Sequence, residues 1–397
     1  MWTQRPRGKP PEVPPVTTLP TPMLIPRPTR CRIHLGNIRH NFRYARALAP
    51  GAKAMAVLKA NAYGHGAVHV ARTLAPEADA FAVARLHEAV ELREAGLQTP
   101  ILLLEGPVSR DEMAEALARS FWMVIAGPEQ LAWFLAADHA APTRVWLKFD
   151  SGMHRLGWDA PGLRNVYETL RAHPSVDGLV LMTHFARADE WQDPATQAQI
   201  DRFRAATQGL DAPHSLANSA GILAWPQAHG DWIRPGILLY GANPLTPDEH
   251  GRVPTHDLHP GMTLESRLIA RRTLPADEPI GYGGRFVAKQ ETLMGVVALG
   301  YADGYPRAAE DGAPLVVRVG VDGCPARIIG RVSMDMITVD LSQAPNAQVG
   351  SRVELWGEQV DANQVARHCG TIAYELFTRI TARCERIYEP ADNETPA

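Results

Sequence analysis

Short apolar segments alternate with amphipathic helical segments up to about residue 240, and this alternation restricts the possible folds more than any other feature. Eight segments have the length and apolar content of buried strands. They are 54–58, 80–84, 101–104, 122–126, 144–149, 178–183, 214–217 and 231–234. Apolar residues at three-to-four spacing predict helices between most of them, at 87–96, 109–119, 128–138, 162–173 and 195–208. The repetition predicts an α/β fold, a (β/α)8 or TIM barrel.

A second domain of different character follows the barrel. Four prolines between residues 243 and 261 indicate a linker, and the next segments have strand character without intervening helices. These segments are 263–273, 292–299, 314–319, 326–340 and 352–356, and a short helix is expected near 361–369. The pattern predicts a mostly antiparallel β domain. We therefore expect the barrel over 31–256 and the β domain over 257–388.

The two ends of the chain differ from these domains. Residues 1–30 contain nine prolines, which fix φ and lack an N–H group, so this stretch cannot join a helix or a central strand. It has no apolar core of the kind that a secretory signal needs. We expect a disordered tail over 1–30 and a second tail over 389–397.

Composition excludes several classes of function. The 40 basic and 43 acidic residues give a net charge of −3, which argues against a nucleic-acid or membrane-surface partner. No apolar run approaches the roughly 20 residues that span a bilayer. The four cysteines show no C-x-x-C spacing, which argues against a structural metal site or a disulfide scaffold and favours a cytoplasmic location. We expect no metal.

The first candidate for chemistry is Lys59, one of only five lysines, which directly follows the first strand in VLKANAYGHG. Active sites of these barrels lie at the carboxyl ends of the strands. Burial at such a position lowers the pKa of an amine and makes it a usable nucleophile, as in a Schiff base. The alternative is a lysine whose ammonium group simply extends to solvent. Tyr63 adds a polar group in the same loop.

Other strand ends also carry polar side chains. Lys148 and Arg155 follow the fifth strand, and His184 follows the sixth. Loops after strands seven and eight commonly bind phosphate in this fold. Asn218 and Ser219 follow strand seven, and Arg234, Gly236 and Ile237 follow strand eight. Ser219 offers a hydroxyl there, and Gly236 and Ile237 offer backbone N–H donors. A phosphate site near an amine at Lys59 indicates pyridoxal 5'-phosphate as the cofactor.

An ordered set of motifs makes a family resemblance recognisable. The motifs are VLKANAYGHG, FDSGMHRLG, THFARADE, ANSAG, RPGILLYG, GYADGYPR and GRVSMDMITVD. The chain resembles alanine racemase, a fold-type III pyridoxal-phosphate enzyme, over about residues 28–388. The resemblance implies interconversion of L- and D-alanine in a homodimer, for peptidoglycan synthesis or alanine catabolism.

The resemblance also implies roles for individual residues. Lys59 would hold the cofactor and act as one catalytic base, and Tyr282 from the second subunit would be the opposite base. Arg155 and the backbone N–H of Met334 would contact the substrate carboxylate, and Arg234 would lie against the pyridine nitrogen. The remaining cofactor contacts would be Tyr63, Arg155, His184, Asn218, Ser219, Gly236, Ile237 and Tyr374. Lys148 matches a lysine that is carbamylated in some members. The access corridor would include Asp189, Tyr301, Arg307, Arg331 and Ile372.

Other activities remain open from the residues alone. A racemase of broader specificity, for example toward serine, has the same machinery, because an apolar pocket rejects one extra hydroxyl only about a hundredfold. Decarboxylases of this class place a carboxylate at the pyridine nitrogen, which Arg234 argues against. A non-catalytic cofactor-binding barrel would lack the β domain and Tyr282. A cofactor-free aldolase is the fourth alternative.

Overall fold

A computed structural model describes residues 28–319 and 322–391 of the chain. Eight parallel strands form the first sheet, and neighbouring strands in the sheet are consecutive barrel strands in the chain. They are Lys53–Val57, Ala80–Val83, Ile101–Leu103, Trp122–Ile125, Thr143–Lys148, Val176–Met182, His214–Ser215 and Trp232–Ile233. The last strand pairs with the first, and hydrogen bonds from Asp231 N to His214 O and from Arg234 N to Ala217 O join it to the seventh. The sheet therefore closes into the predicted barrel.

Helices cover the outside of this barrel. They are Leu35–Leu48, Ala67–Leu74, Leu86–Glu94, Arg110–Ala118, Pro128–Ala136, Ala160–Arg171, Ala195–Thr207 and Ser219–Ala224. Their starts follow local sequence signals: Ser109, Asp159 and Asn218 each accept a backbone N–H at a helix N-terminus. Because both faces of the sheet are covered, most of the barrel strands are predominantly apolar, as their sequences predict. Among the described residues, no helix has both the length and the apolar character needed to cross a membrane.

The second sheet is mostly antiparallel, as predicted. Its strands are Arg30–His34, Met262–Leu274, Thr292–Val297, Pro314–Val319, Asp322–Ile328, Ile337–Asp340, Arg352–Trp356 and Glu385–Glu389. The long strand Met262–Leu274 pairs at one end with Arg30–His34 and at the other with Thr292–Val297. A small hairpin pairs Pro279–Ile280 with Phe286–Val287. Two short helices, Ala362–His368 and Ala373–Thr378, complete the domain.

The boundaries of the predicted domains differ from the structure at both ends. Strand Arg30–His34, which the sequence assigns mainly to the barrel, lies between Met262–Leu274 and Glu385–Glu389 in the second sheet. Glu389, assigned to the tail, pairs with His34. The reason is that these partners are more than two hundred residues distant, so no local pattern identifies the pairing. The remaining parts of both predicted tails, 1–27 and 392–397, lie outside the described residues.

Candidate active site

A cavity of about 600 Å³ opens at the carboxyl ends of the barrel strands. Polar groups from six strand ends and from the second domain line it. They include Lys59, Tyr63, Lys148, Arg155, His184, Asn218, Ser219, Arg234, Gly236, Ile237 and Tyr374. Apolar walls come from Val57, Leu104, Leu156, Met182 and Ile372. The structure thus places Lys59 and Tyr374, which are 315 positions apart in the sequence, in one cavity.

Lys59 begins an unusual left-handed turn. Residues 60–63 all have φ between 51° and 54°, although none of them is glycine. This conformation costs roughly 1–2 kcal/mol per residue for L-amino acids, so other contacts must hold it. Strained backbone of this kind concentrates at functional sites. The turn carries Lys59 at its start and Tyr63 at its end, so it sets the positions of both side chains.

Three side chains brace this turn. The Glu88 carboxylate accepts the N–H of Ala60 at 2.6 Å, and the Asn61 side-chain oxygen accepts the N–H of Ala67 at 2.7 Å. From the second domain, Arg386 donates to the carbonyl oxygen of Gly64 at 2.7 Å. Gly64 lies so close to Phe377 that a Cβ would be 2.2 Å from its carbonyl oxygen. The second domain therefore fixes the backbone next to Lys59.

The amines of Lys59 and Lys148 both have lowered pKa values. Burial is the main cause for Lys59, and the positive charge of Arg155 adds to it. Burial together with Arg155 and Arg234 lowers the pKa of Lys148 to about 8. Glu105 opposes the shift at both lysines. A lowered pKa increases the fraction of neutral amine, which is the nucleophilic and basic form.

Four positively charged side chains lie near His184. Burial lowers the pKa of His184 well below its usual value, and Arg234, Lys148, Lys59 and Arg155 lower it further. The imidazole is therefore neutral at physiological pH. A cavity with four cationic side chains around a neutral histidine has a positive potential, and anionic groups are its expected ligands.

The predicted phosphate loop combines a hydroxyl with close backbone approach. Ser219 Oγ accepts the N–H of Gly236 at 2.8 Å and that of Leu238 at 3.4 Å. A Cβ on Gly236 would lie 2.9 Å from the hydroxyl oxygen of Tyr63 and 3.7 Å from Ser219 Oγ. Asn218 caps the next helix by accepting the N–H of Gly221 at 2.9 Å. The loop therefore places hydroxyl and N–H groups close together, and a side chain at residue 236 would enter the space between them.

Arg234 is 3% exposed and is held by neutral groups. Its guanidinium donates to the carbonyl oxygens of Thr183 at 2.7 Å and Leu216 at 3.1 Å, and also to the Ser215 hydroxyl. Among the described residues, no carboxylate forms a hydrogen bond with it. Burial lowers its pKa to about 10, so Arg234 is a cation at neutral pH. These contacts fix the side chain and present a positive charge to the cavity.

Residues from the second domain close one side of the cavity. The ring of Tyr374 lies 5.9 Å from that of Tyr63, and burial raises the pKa of both phenols. The negative charge of Asp189 also raises the pKa of Tyr374, so this corridor residue lies near the phenol. Ile372 lines the same cavity and is 60% exposed.

Tyr282 and Met334 are not among the residues that line this cavity. Tyr282 is 69% exposed and lies in the turn of the hairpin, and Met334 is 53% exposed. The carbonyl oxygen of Met334 accepts the N–H of Ala302, next to Tyr301. Arg331 lies beside Gly283 in the hairpin turn. These predicted site residues therefore share a solvent-facing region of the second domain and lie outside the cavity of their own chain.

Two acidic residues that the sequence reasoning missed belong to the site. Glu105 lines the cavity and forms an ion pair with Arg85 at 3.1 Å. It follows the strand Ile101–Leu103, so the rule that identified the other strand-end residues would have found it. Glu88 acts through the Ala60 N–H, and no sequence signal shows that contact.

Comparison with known proteins agrees with this geometry. The family profiles described as "Alanine racemase, N-terminal domain" and "Alanine racemase, C-terminal domain" match residues 33–244 and 261–388. An alanine racemase from Azoarcus sp. is 52% identical over 354 residues, which cover 89% of this chain and 97% of the relative. A catabolic alanine racemase from Pseudomonas aeruginosa is 50% identical over 365 residues, which cover 92% of this chain and 100% of the relative.

Solved structures show the same similarity. The biosynthetic alanine racemase from Pseudomonas aeruginosa matches with a TM-score of 0.86 and 47% identity, covering 92% of this chain and all of that one. The alanine racemase from Acinetobacter baumannii matches with a TM-score of 0.83 and 36% identity, covering 91% of this chain and all of that one. The family profiles together match most of the chain, and the relatives match almost over their full length. The chain belongs to the alanine racemase family.

Proposed function

We propose that this protein interconverts L- and D-alanine with pyridoxal 5'-phosphate as its cofactor. The observation that carries the proposal is the meeting of Lys59, Arg234 and the Ser219–Gly236 loop in one cavity. The relatives named alanine racemase support the same reaction. A catabolic and a biosynthetic alanine racemase are similar to this chain to about the same degree, at 51% and 47% identity, so both physiological roles fit it.

The residues present fit the cofactor in charge and shape. The positive cavity suits a phosphate, and Ser219, the backbone of Gly236 and Ile237, Tyr63 and Tyr374 would hold it. Lys59 supplies the amine that attaches the aldehyde carbon, and Arg234 would face the ring nitrogen. His184, Asn218 and Arg155 would contact the rest of the cofactor. When bound, the cofactor supplies an electron sink that acidifies the Cα proton of alanine.

The reaction needs two bases, because the proton must leave one face of Cα and return on the other. We assign the first to the amine of Lys59, whose lowered pKa increases the fraction of neutral amine that can accept a proton. We assign the second to the Tyr282 hydroxyl. Arg155 and the Met334 N–H would hold the substrate carboxylate, so that Cα stays between the two bases. Leu104, Leu156 and Ile372 line the cavity and limit water near the reacting carbon.

The location of Tyr282 supports a homodimer with composite sites. Tyr282 and Met334 are exposed on their own chain and absent from its cavity lining. Tyr301 and Met336 are exposed as well. A twofold dimer that places this region over the partner's cavity would bury these apolar side chains and complete both sites.

Arg234 supports racemisation over other reactions of the same cofactor. A guanidinium does not readily give up a proton, so the ring nitrogen facing it would stay unprotonated. A weaker electron sink favours rapid return of the proton to Cα over transamination or decarboxylation. The Thr183, Ser215 and Leu216 contacts hold the guanidinium in this place.

Lys148 has the environment that a carbamylated lysine needs. Its pKa of about 8 leaves part of the amine neutral at physiological pH, and Arg155 and Arg234 supply positive charge nearby. The amine nitrogen would bond to the carbon of CO₂ and release one proton, which gives a carbamate anion. Carbon-13 NMR of the holoenzyme in labelled bicarbonate should show a carbamate signal that Lys148→Met lacks.

The direct test of the function is a racemisation assay. Purified protein with bound cofactor, incubated with L-alanine, L-serine and L-lysine in parallel, should lose optical rotation fastest with L-alanine. Faster conversion of serine would favour the broader-specificity racemase. Pyruvate or amine as the main product would contradict racemisation.

The four cysteines, all free in the structure, support a cytoplasmic location.

A further inference from the structure

A cluster of two histidines and one aspartate lies outside the cavity, where the linker between the domains crosses the first helix. His40 belongs to helix Leu35–Leu48, and Asp257 and His259 belong to the linker. Their potential ligand atoms all lie within 4.8 Å of one another. Among the described residues, this is the one group of three such side chains that meets so closely.

Both imidazoles direct the same nitrogen toward one carboxylate. Nε2 of His40 lies 3.1 Å from Oδ2 of Asp257, and Nε2 of His259 lies 3.1 Å from Oδ1 of the same side chain. The two rings are stacked with their centroids 4.0 Å apart and their planes 11° apart. The three ligand-bearing side chains therefore meet at the surface, where each is partly exposed.

The backbone holds these positions independently of the three side chains. Asn41, which is fully buried, accepts the N–H of His259 at 2.8 Å and donates to its carbonyl oxygen at 2.7 Å. Asn37 donates to the carbonyl oxygen of Pro260 at 2.8 Å. The linker is thus fixed against the helix that carries His40, and a ligand would find the site already formed.

We propose that His40, Asp257 and His259 bind a divalent transition-metal ion of the Zn²⁺ class. Two imidazole nitrogens and one carboxylate are a common donor set for Zn²⁺, which binds them at about 2.0–2.2 Å. Imidazole also suits Ni²⁺ and Cu²⁺, whereas Ca²⁺ and Mg²⁺ prefer all-oxygen sites. Three protein ligands leave a fourth position for water. The expectation of no metal rested on cysteine spacing, which does not concern this site.

The ion would connect the linker to the barrel. The linker leads directly into strand Met262–Leu274 of the second domain. Asn41 also donates to the carbonyl oxygen of Leu239 at 2.9 Å, two residues beyond Ile237 of the phosphate loop. A ligand that binds only the folded chain stabilises it, so the ion should raise resistance to unfolding. This role is independent of the proposed racemase activity.

The test uses tag-free holoenzyme that has been dialysed against a chelator. Titration calorimetry with ZnCl₂ should show one saturable site per chain. Thermal unfolding with and without ZnCl₂ should show a rise of a few degrees in Tm. The variants H40A, H259A and D257N should each weaken this binding at least tenfold. The matched control is H250A, which removes an exposed histidine beside Glu249 and should bind like the parent chain.

A spectroscopic measurement separates this site from metal held by the cofactor. Co²⁺ added to the parent chain should give visible d–d absorption bands that H40A and D257N lack, while the cofactor and its absorption stay unchanged. If the parent chain and the three variants bind Zn²⁺ equally, or if the parent chain binds none, the proposal is wrong. H40Q and H259Q, which keep most of the side-chain volume, serve where an alanine variant does not fold.

Discussion

The hydroxyl oxygen of Tyr63 lies 2.9 Å from the point that a Cβ on Gly236 would occupy. The Tyr63 ring is held between Tyr240 and Tyr374, with centroid distances of 4.9 and 5.9 Å. The phenol therefore has little room to move aside. This contact explains why a residue without a side chain stands in the proposed phosphate loop.

Replacement of Gly236 with alanine should weaken cofactor binding by roughly tenfold or more, which corresponds to about 1.4 kcal/mol. The added methyl group would displace the Tyr63 hydroxyl from the phosphate site. Titration of the cofactor-free chain with pyridoxal 5'-phosphate measures the change. Gly51→Ala is the matched control, because a Cβ there meets nothing within 4 Å. Equal cofactor affinity for both variants would contradict the assigned phosphate site.

Lys59→Ala should lower racemisation in both directions by several orders of magnitude and abolish the visible absorption band of the lysine-bound cofactor. The variant removes both the attachment point and one base. Lys53→Ala is the control, since Lys53 lies outside the cavity, 5.3 Å from the ring of Trp232. A Lys59→Ala chain that keeps both the band and the rate would move the attachment to Lys148.

Arg234→Glu should slow racemisation and increase the share of turnovers that end in pyruvate. A carboxylate would favour a protonated ring nitrogen and so a stronger electron sink. The product ratio from L-alanine, measured by chromatography, reports this change. Arg234→Lys keeps a positive charge but gives up its proton more readily than a guanidinium, so it should change the ratio less than Arg234→Glu. If Arg234→Glu leaves the ratio unchanged while the cofactor stays bound, Arg234 does not contact the ring.

The sequence predicts the barrel well because most of its buried parallel strands contain a short apolar run. All eight predicted barrel strands are present. Strand Glu385–Glu389 and helix Ala373–Thr378 were missed, because they are short and their burial comes from distant partners. The pairing of strand Arg30–His34 with the second sheet was not predicted for the same reason.

In the site, as in the fold, local sequence patterns predict some features and distant contacts determine the others. The strand-end rule identified Lys59, Lys148 and Arg234 from the sequence alone. It could not predict the left-handed turn, since residues 60–63 have no glycine and tertiary contacts from Glu88 and Arg386 hold their φ values. Tyr282 and Met334 were predicted only from the family resemblance, because no local pattern marks a residue whose proposed site lies on another chain.

Acid should destabilise the fold partly through His65. This side chain is fully buried, its Nδ1 bonds the carbonyl oxygen of Tyr63 at 2.9 Å, and burial lowers its pKa to about 3. In the unfolded chain the imidazole of His65 has its ordinary pKa of about 6.5. As the pH falls, His65 is therefore protonated in the unfolded state before it is protonated in the folded state. The stability that neutral His65 provides is complete above pH 6.5 and is lost progressively toward pH 3.

The measurement is the urea midpoint of unfolding at pH 7 and pH 5. The parent chain should lose on the order of 1–2 kcal/mol more between these pH values than His65→Gln. The control His250→Gln replaces an exposed histidine and should keep the parent pH dependence. The same pH dependence in His65→Gln would show that His65 does not govern this loss.

Complementation between two inactive variants tests whether the site is shared between subunits. If Lys59 of one chain works with Tyr282 of the other, Lys59→Ala and Tyr282→Phe chains are each inactive alone. In a mixed dimer, one site carries both changes and the other carries neither. Random mixing makes about half of the dimers mixed, so recovery should approach roughly a quarter of the parent activity per site. Size measurements on differently tagged chains confirm that mixed dimers form. If mixed dimers are present and the activity stays absent, the two bases belong to one chain, and the proposed assembly is wrong.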